Sequence, residues 1–232
     1  NPKTEHQAIA LRNKMERRVL GAEDRRGQGA RSDRPPPPPL PPKKASTPSA
    51  RAPSLLDYDP TEVARQLSLI ESHLFQQISP KECLGQAWNK KNKEERAPNI
   101  VELTKRFNQV SNWVATEILR EEKLAARAKV IKRFIKVAAA CREINSFNAV
   151  QEIVAALNSA SVYRLKLTWG QLKGKTEELW RRTQESLSKE ANWKKFREVR
   201  AQCDPPCIPY LGIFLSDLTF IEEGNPDSIL ME

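Results

Sequence analysis

The chain has 232 residues and a net charge of +10, enough length for one medium domain and a tail. No apolar run reaches membrane-spanning length and no apolar signal core stands near Asn1, so a soluble, cytoplasmic protein without a transmembrane segment is expected. Residues 1–53 hold 12 Lys/Arg and 5 Asp/Glu, while residues 54–232 hold 27 and 24. The basicity therefore sits in the tail, and no nucleic-acid partner is expected.

Residues 1–20 read as a short helix or as the remnant of an upstream domain, with Ala8, Leu11, Met15 and Val19 on one side. Residues 21–54 read as a disordered, basic, proline-rich linker. Ten of the 17 prolines fall in residues 1–53, and the segment lacks the apolar side chains needed to offset its ordering entropy. Within it, Pro35 to Pro42 is interrupted only by Leu40, which predicts a polyproline II stretch. Pro39, Pro42 and Lys44 fit a P-x-x-P-x-basic pattern of the kind that adaptor domains with aromatic grooves read. A stiff spacer is the alternative reading of the same residues.

Residues 55–232 read as the folded domain, and its pattern is helical. Asp59-Pro60 opens a run through Val63, Leu67, Ile70, Leu74 and Ile78, with Asp59 placed to cap and Pro60 at the first helical position. Pro98-Asn99 opens a second run through Ile100, Leu103, Phe107, Val110, Val114 and Ile118. A third extends from Leu124 to Ile144, and a fourth contains Val150, Ile153, Val154 and Leu157. No glycine lies between Gly85 and Gly170, as long helices require. Val162-Tyr163-Arg164-Leu165 is the best strand candidate and is too short to support a sheet. Residues 175–187 and 193–203 read as further helices. The fold class is all-α. Trp113 and Phe147 read as core.

Covalent chemistry is not indicated. Two histidines, His6 and His73, leave little room for a nucleophile–base pair, and no metal-ligand cluster accompanies Cys83, Cys141, Cys203 and Cys207. The cysteines read as reduced thiols; no cofactor and no metal are expected. The adjacent acid pairs, such as Glu94-Glu95 and Glu177-Glu178, read as solvated helix surface.

Two segments carry a resemblance. One is Phe107-Asn108-Gln109-Val110-Ser111-Asn112-Trp113-Val114. The other runs from Cys207-Ile208-Pro209-Tyr210-Leu211-Gly212 through Phe220-Ile221-Glu222-Glu223-Gly224-Asn225-Pro226. Shorter stretches support them: Ala64-Arg65-Gln66-Leu67-Ser68-Leu69-Ile70-Glu71, Gly85-Gln86-Ala87-Trp88, Asn145-Ser146-Phe147-Asn148 and Leu157-Asn158-Ser159-Ala160-Ser161-Val162-Tyr163-Arg164-Leu165. In order and spacing these resemble the catalytic domain of the Ras guanine-nucleotide exchange factor (Ras-GEF) family, which includes Son of sevenless. The likeness covers about residues 57–227.

The resemblance implies a bowl of helices with a projecting helical hairpin. It implies an activity without covalent chemistry, namely release of GDP from a Ras- or Rap-type small GTPase, with recruitment to the membrane where the GTPase is anchored. Trp88, Lys105, Asn158, Tyr163, Trp193 and Tyr210 are implied to grip the GTPase. The first hairpin helix is expected from near Tyr210 to Glu223, with Gly224 as its stop and Pro226 just beyond. On it, Thr219 and Glu223 share a face implied to point at the GTPase's Mg²⁺ and phosphate sites. Two positions depart from Son of sevenless, which has arginine in place of Lys105 and leucine in place of Thr219. The resemblance also implies that the second hairpin helix and the closing helices of the domain are missing. An exchange-inactive fragment, or a scaffold acting through its proline-rich arm, is the alternative reading.

Overall fold

The computed structural model describes residues 54–225. The expected short helix of residues 1–20, the proline-rich segment with Pro39, Pro42 and Lys44, and Pro226 lie outside the described residues. The chain divides into two units, residues 1–57 and 58–232. The described part of the first is a 3₁₀ turn, Leu55–Asp57, where the Ser54 N–H donates to the Asp57 carboxylate at 2.6 Å.

The second unit is all-α, as the periodicity predicts. Its longer helices are α1 (Pro60–Gln76), α2 (Pro98–Leu119), α3 (Leu124–Glu143), α4 (Phe147–Leu157), α5 (Lys175–Ser186), α6 (Glu190–Gln202) and α7 (Leu211–Gly224). Among the described residues there is no strand, only a bridge between Ser146 and Ile208. The segment Val162–Leu165 is not extended; a helical turn, Ala160–Tyr163, leads into it and includes Val162 and Tyr163.

Local chemistry explains where the helices begin. At α1 the Asp59 carboxylate accepts the Thr61 N–H at 2.8 Å, and Pro60 takes the first position, whose N–H is unused in any helix. At α2 the residue in the capping position is Ala97, which has no polar side chain to offer. Glu82, from the 3₁₀ turn Pro80–Cys83, caps the helix from outside. Its carboxylate accepts the Asn99 N–H at 2.8 Å, the Ile100 N–H at 3.1 Å, the Asn99 amide at 2.8 Å and the Ser79 N–H at 3.0 Å. An anion at the positive end of α2 meets both the orphan donors and the helix dipole. Burial alone would raise the pKa of Glu82, but these hydrogen bonds outweigh it and hold the group below the usual carboxylate range.

The core forms where α1, α2 and α3 pack around α4. Every residue of α4 except Ala155 is buried, which its near-continuous apolar sequence allows. Phe134, Ile131 and Ile135 of α3 and Ile153 and Leu157 of α4 are fully enclosed. Phe147 is buried and meets Phe196 of α6 edge to face, with ring centres 5.3 Å apart. Trp113 is only half-buried: its ring lies edge to face on buried Phe134 at 5.2 Å, closing the core from outside.

A charged cluster is buried at this convergence. Glu71 of α1 and Glu152 of α4 are 0 % exposed, and Arg106 of α2 is 5 % exposed. Asn148 donates to Glu152 at 3.1 Å, while both Glu71 oxygens and the second Glu152 oxygen have no hydrogen-bond donor among the described residues. Burial pushes both carboxyls up, Glu71 to about 7 and Glu152 well above the ordinary value, while Arg106 partly offsets the shift. Burial and the two carboxylates likewise push the Cys141 thiol of α3 up. Both carboxyls therefore favour the protonated form more than a solvated glutamate does.

Candidate functional site

The Glu82 anchor has a consequence for the surface. Three residues past Glu82 the chain turns through Gly85 and Gln86, both at positive φ (57° and 51°), into the 3₁₀ turn Ala87–Asn89 that carries Trp88. Trp88, Leu211 and Leu215 pack against buried Ala87, Ala97 and Ile100. The first turns of α7 are thereby seated on the start of α2.

A cleft of about 610 Å³ opens along this junction. Its lining includes Trp88, Lys105, Phe107, Asn148, Tyr210 and Leu215. Three residues expected on one gripping surface, Trp88, Lys105 and Tyr210, thus converge on one concavity. Trp193 joins them from α6, its ring centre 5.8 Å from that of Tyr210. The Phe107 ring also meets Tyr210, with centres 5.7 Å apart. Tyr210 is half-buried, and burial raises its phenol pKa, so the ring is neutral and serves as an amphipathic anchor. The ring lies over the backbone of Gly212, where a Cβ would stand 2.6 Å from the Tyr210 hydroxyl oxygen. Any larger residue there would have to push the Tyr210 ring aside.

Trp193 is presented by an unusual backbone. Within α6 three consecutive residues, Ala191, Asn192 and Trp193, are left-handed, with φ of 48°, 55° and 59°. Each non-glycine residue in that region costs roughly 1–2 kcal/mol. The expected helix over 193–203 is therefore found, but Trp193 belongs to the kink that precedes its regular part.

Asn158 and Tyr163 do not line the cleft. Asn158 ends α4, and its side-chain oxygen accepts from Gln184 of α5 at 3.1 Å. Tyr163 is 58 % exposed, with the Lys166 ammonium 3.5 Å from its ring centre. The turn that carries it packs on α2, the helix of Lys105.

On α7, Thr219 is half-buried and its hydroxyl donates to the Leu215 carbonyl at 3.0 Å, so its polar atom is satisfied within the helix. Glu223 is exposed and has no ion pair among the described residues. The two are one helical turn apart and share a face. The neighbouring acid, Glu222, points elsewhere: it accepts the Gly85 N–H at 2.7 Å. Asp217 receives both terminal nitrogens of Arg197, each at 2.8 Å.

Sequence reasoning missed Phe107, Asn148, Leu215, Glu222 and Asp217. Phe107 falls on the same stripe as Leu103 and Val110, and periodicity cannot distinguish the stripe's exposed edge from its centre. Among the described residues no group of three or more His, Cys, Asp or Glu is placed to hold a metal.

Residues 62–232 match the RasGEF domain family. Over 172 residues the chain is 56 % identical to Ras guanine nucleotide exchange factor E of Dictyostelium discoideum, covering 72 % of this chain and 16 % of that protein. Ras guanine nucleotide exchange factor Y of the same organism is 44 % identical over 186 residues, 80 % of this chain and 12 % of that protein. Ras-specific guanine nucleotide-releasing factor 1 of Rattus norvegicus is 43 % identical over 166 residues, 72 % of this chain and 13 % of that protein. The chain spans under a fifth of the length of these relatives. With the match extending over most of the chain, from α1 through α7, this protein belongs to the RasGEF domain family.

Proposed function

We propose that this chain promotes GDP release from a Ras- or Rap-type small GTPase by gripping its switch segments and setting α7 against the Mg²⁺ and phosphate region. The convergence of Trp88, Lys105 and Tyr210 on one cleft at the root of α7 supports this reading. An exchange factor must bind the emptied GTPase better than the loaded one; by linkage, nucleotide and factor then weaken each other equally. The surface supplies both needs. Tyr210, flanked by Phe107 and Trp193, offers a rigid aromatic anchor for a mobile apolar switch. Lys105 adds a charge at the rim, as a point donor without the bidentate fork of arginine. Asn158 and Tyr163 extend the grip beyond the cleft. Glu223 carries unpaired negative charge on the face assigned to the nucleotide, where it competes with phosphate for the same donors, and Thr219 obstructs the metal.

Tyr210→Ala tests the grip. Affinity for nucleotide-free GTPase is expected to fall by roughly 2 kcal/mol or more, as for a central aromatic anchor. Wild-type binding by this variant would refute the reading.

The P-x-x-P-x-basic pattern favours a second, separate role: Pro39, Pro42 and Lys44 bind an adaptor domain and bring the protein to the membrane that bears the GTPase. Among the described residues no helix is long and apolar enough to cross a membrane. Replacing Pro39 and Pro42 by alanine should abolish adaptor-domain capture and leave GTPase binding intact. Capture of adaptor domains without capture of nucleotide-free GTPase would instead assign the chain a scaffold role.

A further inference from the structure

The inner part of α7 is held by apolar packing. Ile213 is buried, and Leu211 and Leu215 sit on the Ala87–Ala97–Ile100 cluster. Its outer part is not: Phe220 and Ile221 are 68 % and 57 % exposed. There the helix is tied by two polar contacts, Glu222 to the Gly85 N–H and Asp217 to Arg197.

Arg197 does more than close an ion pair. Its Nη1 and Nη2 bind the two oxygens of Asp217 at 2.8 Å each, a fork-to-fork geometry that fixes direction as well as distance. Its remaining nitrogen, Nε, donates to the Asn192 carbonyl at 2.9 Å. Asn192 is the middle residue of the left-handed turn that presents Trp193. Three strained residues persist only where their surroundings over-determine them, and this bond is part of that determination. The Trp193 ring in turn meets Tyr210, the residue that opens α7. The contacts therefore close a ring: α7, Asp217, Arg197, Asn192, Trp193, Tyr210 and back to α7.

We infer that Arg197 is a positioning residue for nucleotide exchange, locking the direction of α7 to the placement of Trp193 so that the aromatic grip and the Thr219–Glu223 face move as one unit. Asp217 is its counterpart on α7. It lies about 200° around the helix from Thr219 and about 240° from Glu223, on the side facing away from the nucleotide. The pair can thus steer the working face without touching the GTPase. The half-exposed setting of the pair argues against a mainly stabilising role, since ion pairs open to water contribute little to global stability. This inference rests on the proposed exchange function.

Arg197→Lys keeps the charge and removes the fork; Asp217→Asn keeps the shape and removes the charge. Amide hydrogen exchange of residues 211–223 in the whole chain reads the helix directly, and release of fluorescent GDP from a Ras-type GTPase reads its consequence. In both variants, protection of 211–223 is expected to fall about 10-fold while that of 124–143 is unchanged. GDP release at saturating protein is expected to slow about 10-fold, with affinity for the empty GTPase changed less than about threefold. Arg197→Asp combined with Asp217→Arg should recover part of the lost protection, because the fork is restored from the other side. Wild-type protection of 211–223 in both single variants would overturn the inference. So would an equal loss of protection across α3, which would mark Arg197 as a general stabiliser. If protection is lost as expected but Tyr210→Ala binds the GTPase normally, the exchange function itself is wrong, and the role assigned to Arg197 in exchange goes with it.

Discussion

Glu71→Gln removes one of two carboxyl groups enclosed between α1, α2, α3 and α4 while keeping the shape of the side chain. In the folded protein burial raises the Glu71 pKa from 4.5 to about 7, with Glu152 and Arg106 pulling it partly back. A pKa raised by folding means that the native state binds the proton more tightly than the unfolded chain does. The stability from this group is therefore complete below about pH 4.5 and is lost as pH rises through about 7. At about 1.4 kcal/mol per pH unit, the loss across that interval is on the order of 3 kcal/mol. Glutamine does not titrate, and its amide supplies donors to a buried cluster in which Glu152 has an oxygen without one. Once Glu152 ionises, Arg106 still faces it as a counter-charge. Glu71→Gln should therefore match the wild type near pH 5 and exceed it at pH 8 by about 1–3 kcal/mol. Urea unfolding at constant ionic strength from pH 5 to 8.5 measures this. Glu178, held to about 2 by its hydrogen bonds to Arg181 and Arg182, titrates below that window and does not interfere. Parallel pH profiles for the two proteins would refute the account of the buried pair, as would a wild-type stability that climbs from pH 5 to 8.

Glu223→Ala should slow GDP release at saturating protein while weakening the empty-GTPase complex less than Tyr210→Ala does; stopped-flow release and a separate binding titration check the split. Gly212→Ala improves helix propensity but places a methyl group against the Tyr210 ring, so it should reduce GTPase affinity by at least about tenfold with helical content preserved; circular dichroism and binding together decide it. Glu82→Ala leaves the first donors of α2 without their acceptor and should cost roughly 2 kcal/mol at pH 7 by urea unfolding. Because folding lowers the Glu82 pKa, that contribution is present above about pH 4.5 and is lost as pH falls through the folded value, so wild type and variant should converge as the pH drops below that value.

Much of this was written in local patterns. The apolar spacing of residues 60–76, 98–119, 124–143 and 147–157 specifies helices because a 3.6-residue repeat buries one stripe at a time, and Asp59-Pro60 marks a start within two residues of chain. The candidate site was legible only through whole segments such as Gly85–Trp88 and Cys207–Pro226, since an isolated tryptophan or tyrosine carries no mark of what it will touch. Tertiary structure decided the rest. It brought Trp88, Lys105 and Tyr210 to one cleft from positions separated by up to 122 residues of chain, and it moved Phe107 from the apparent core to that cleft's wall. It turned Glu82 into a helix cap, buried Glu71 and Glu152 together in the core, and set Arg197 against Asp217 of α7. A helix repeat states which side of a segment turns inward, but the energy of a charge depends on what surrounds it. That environment is assembled from α1, α2, α4, α6 and α7 together, so only the packed chain determines it.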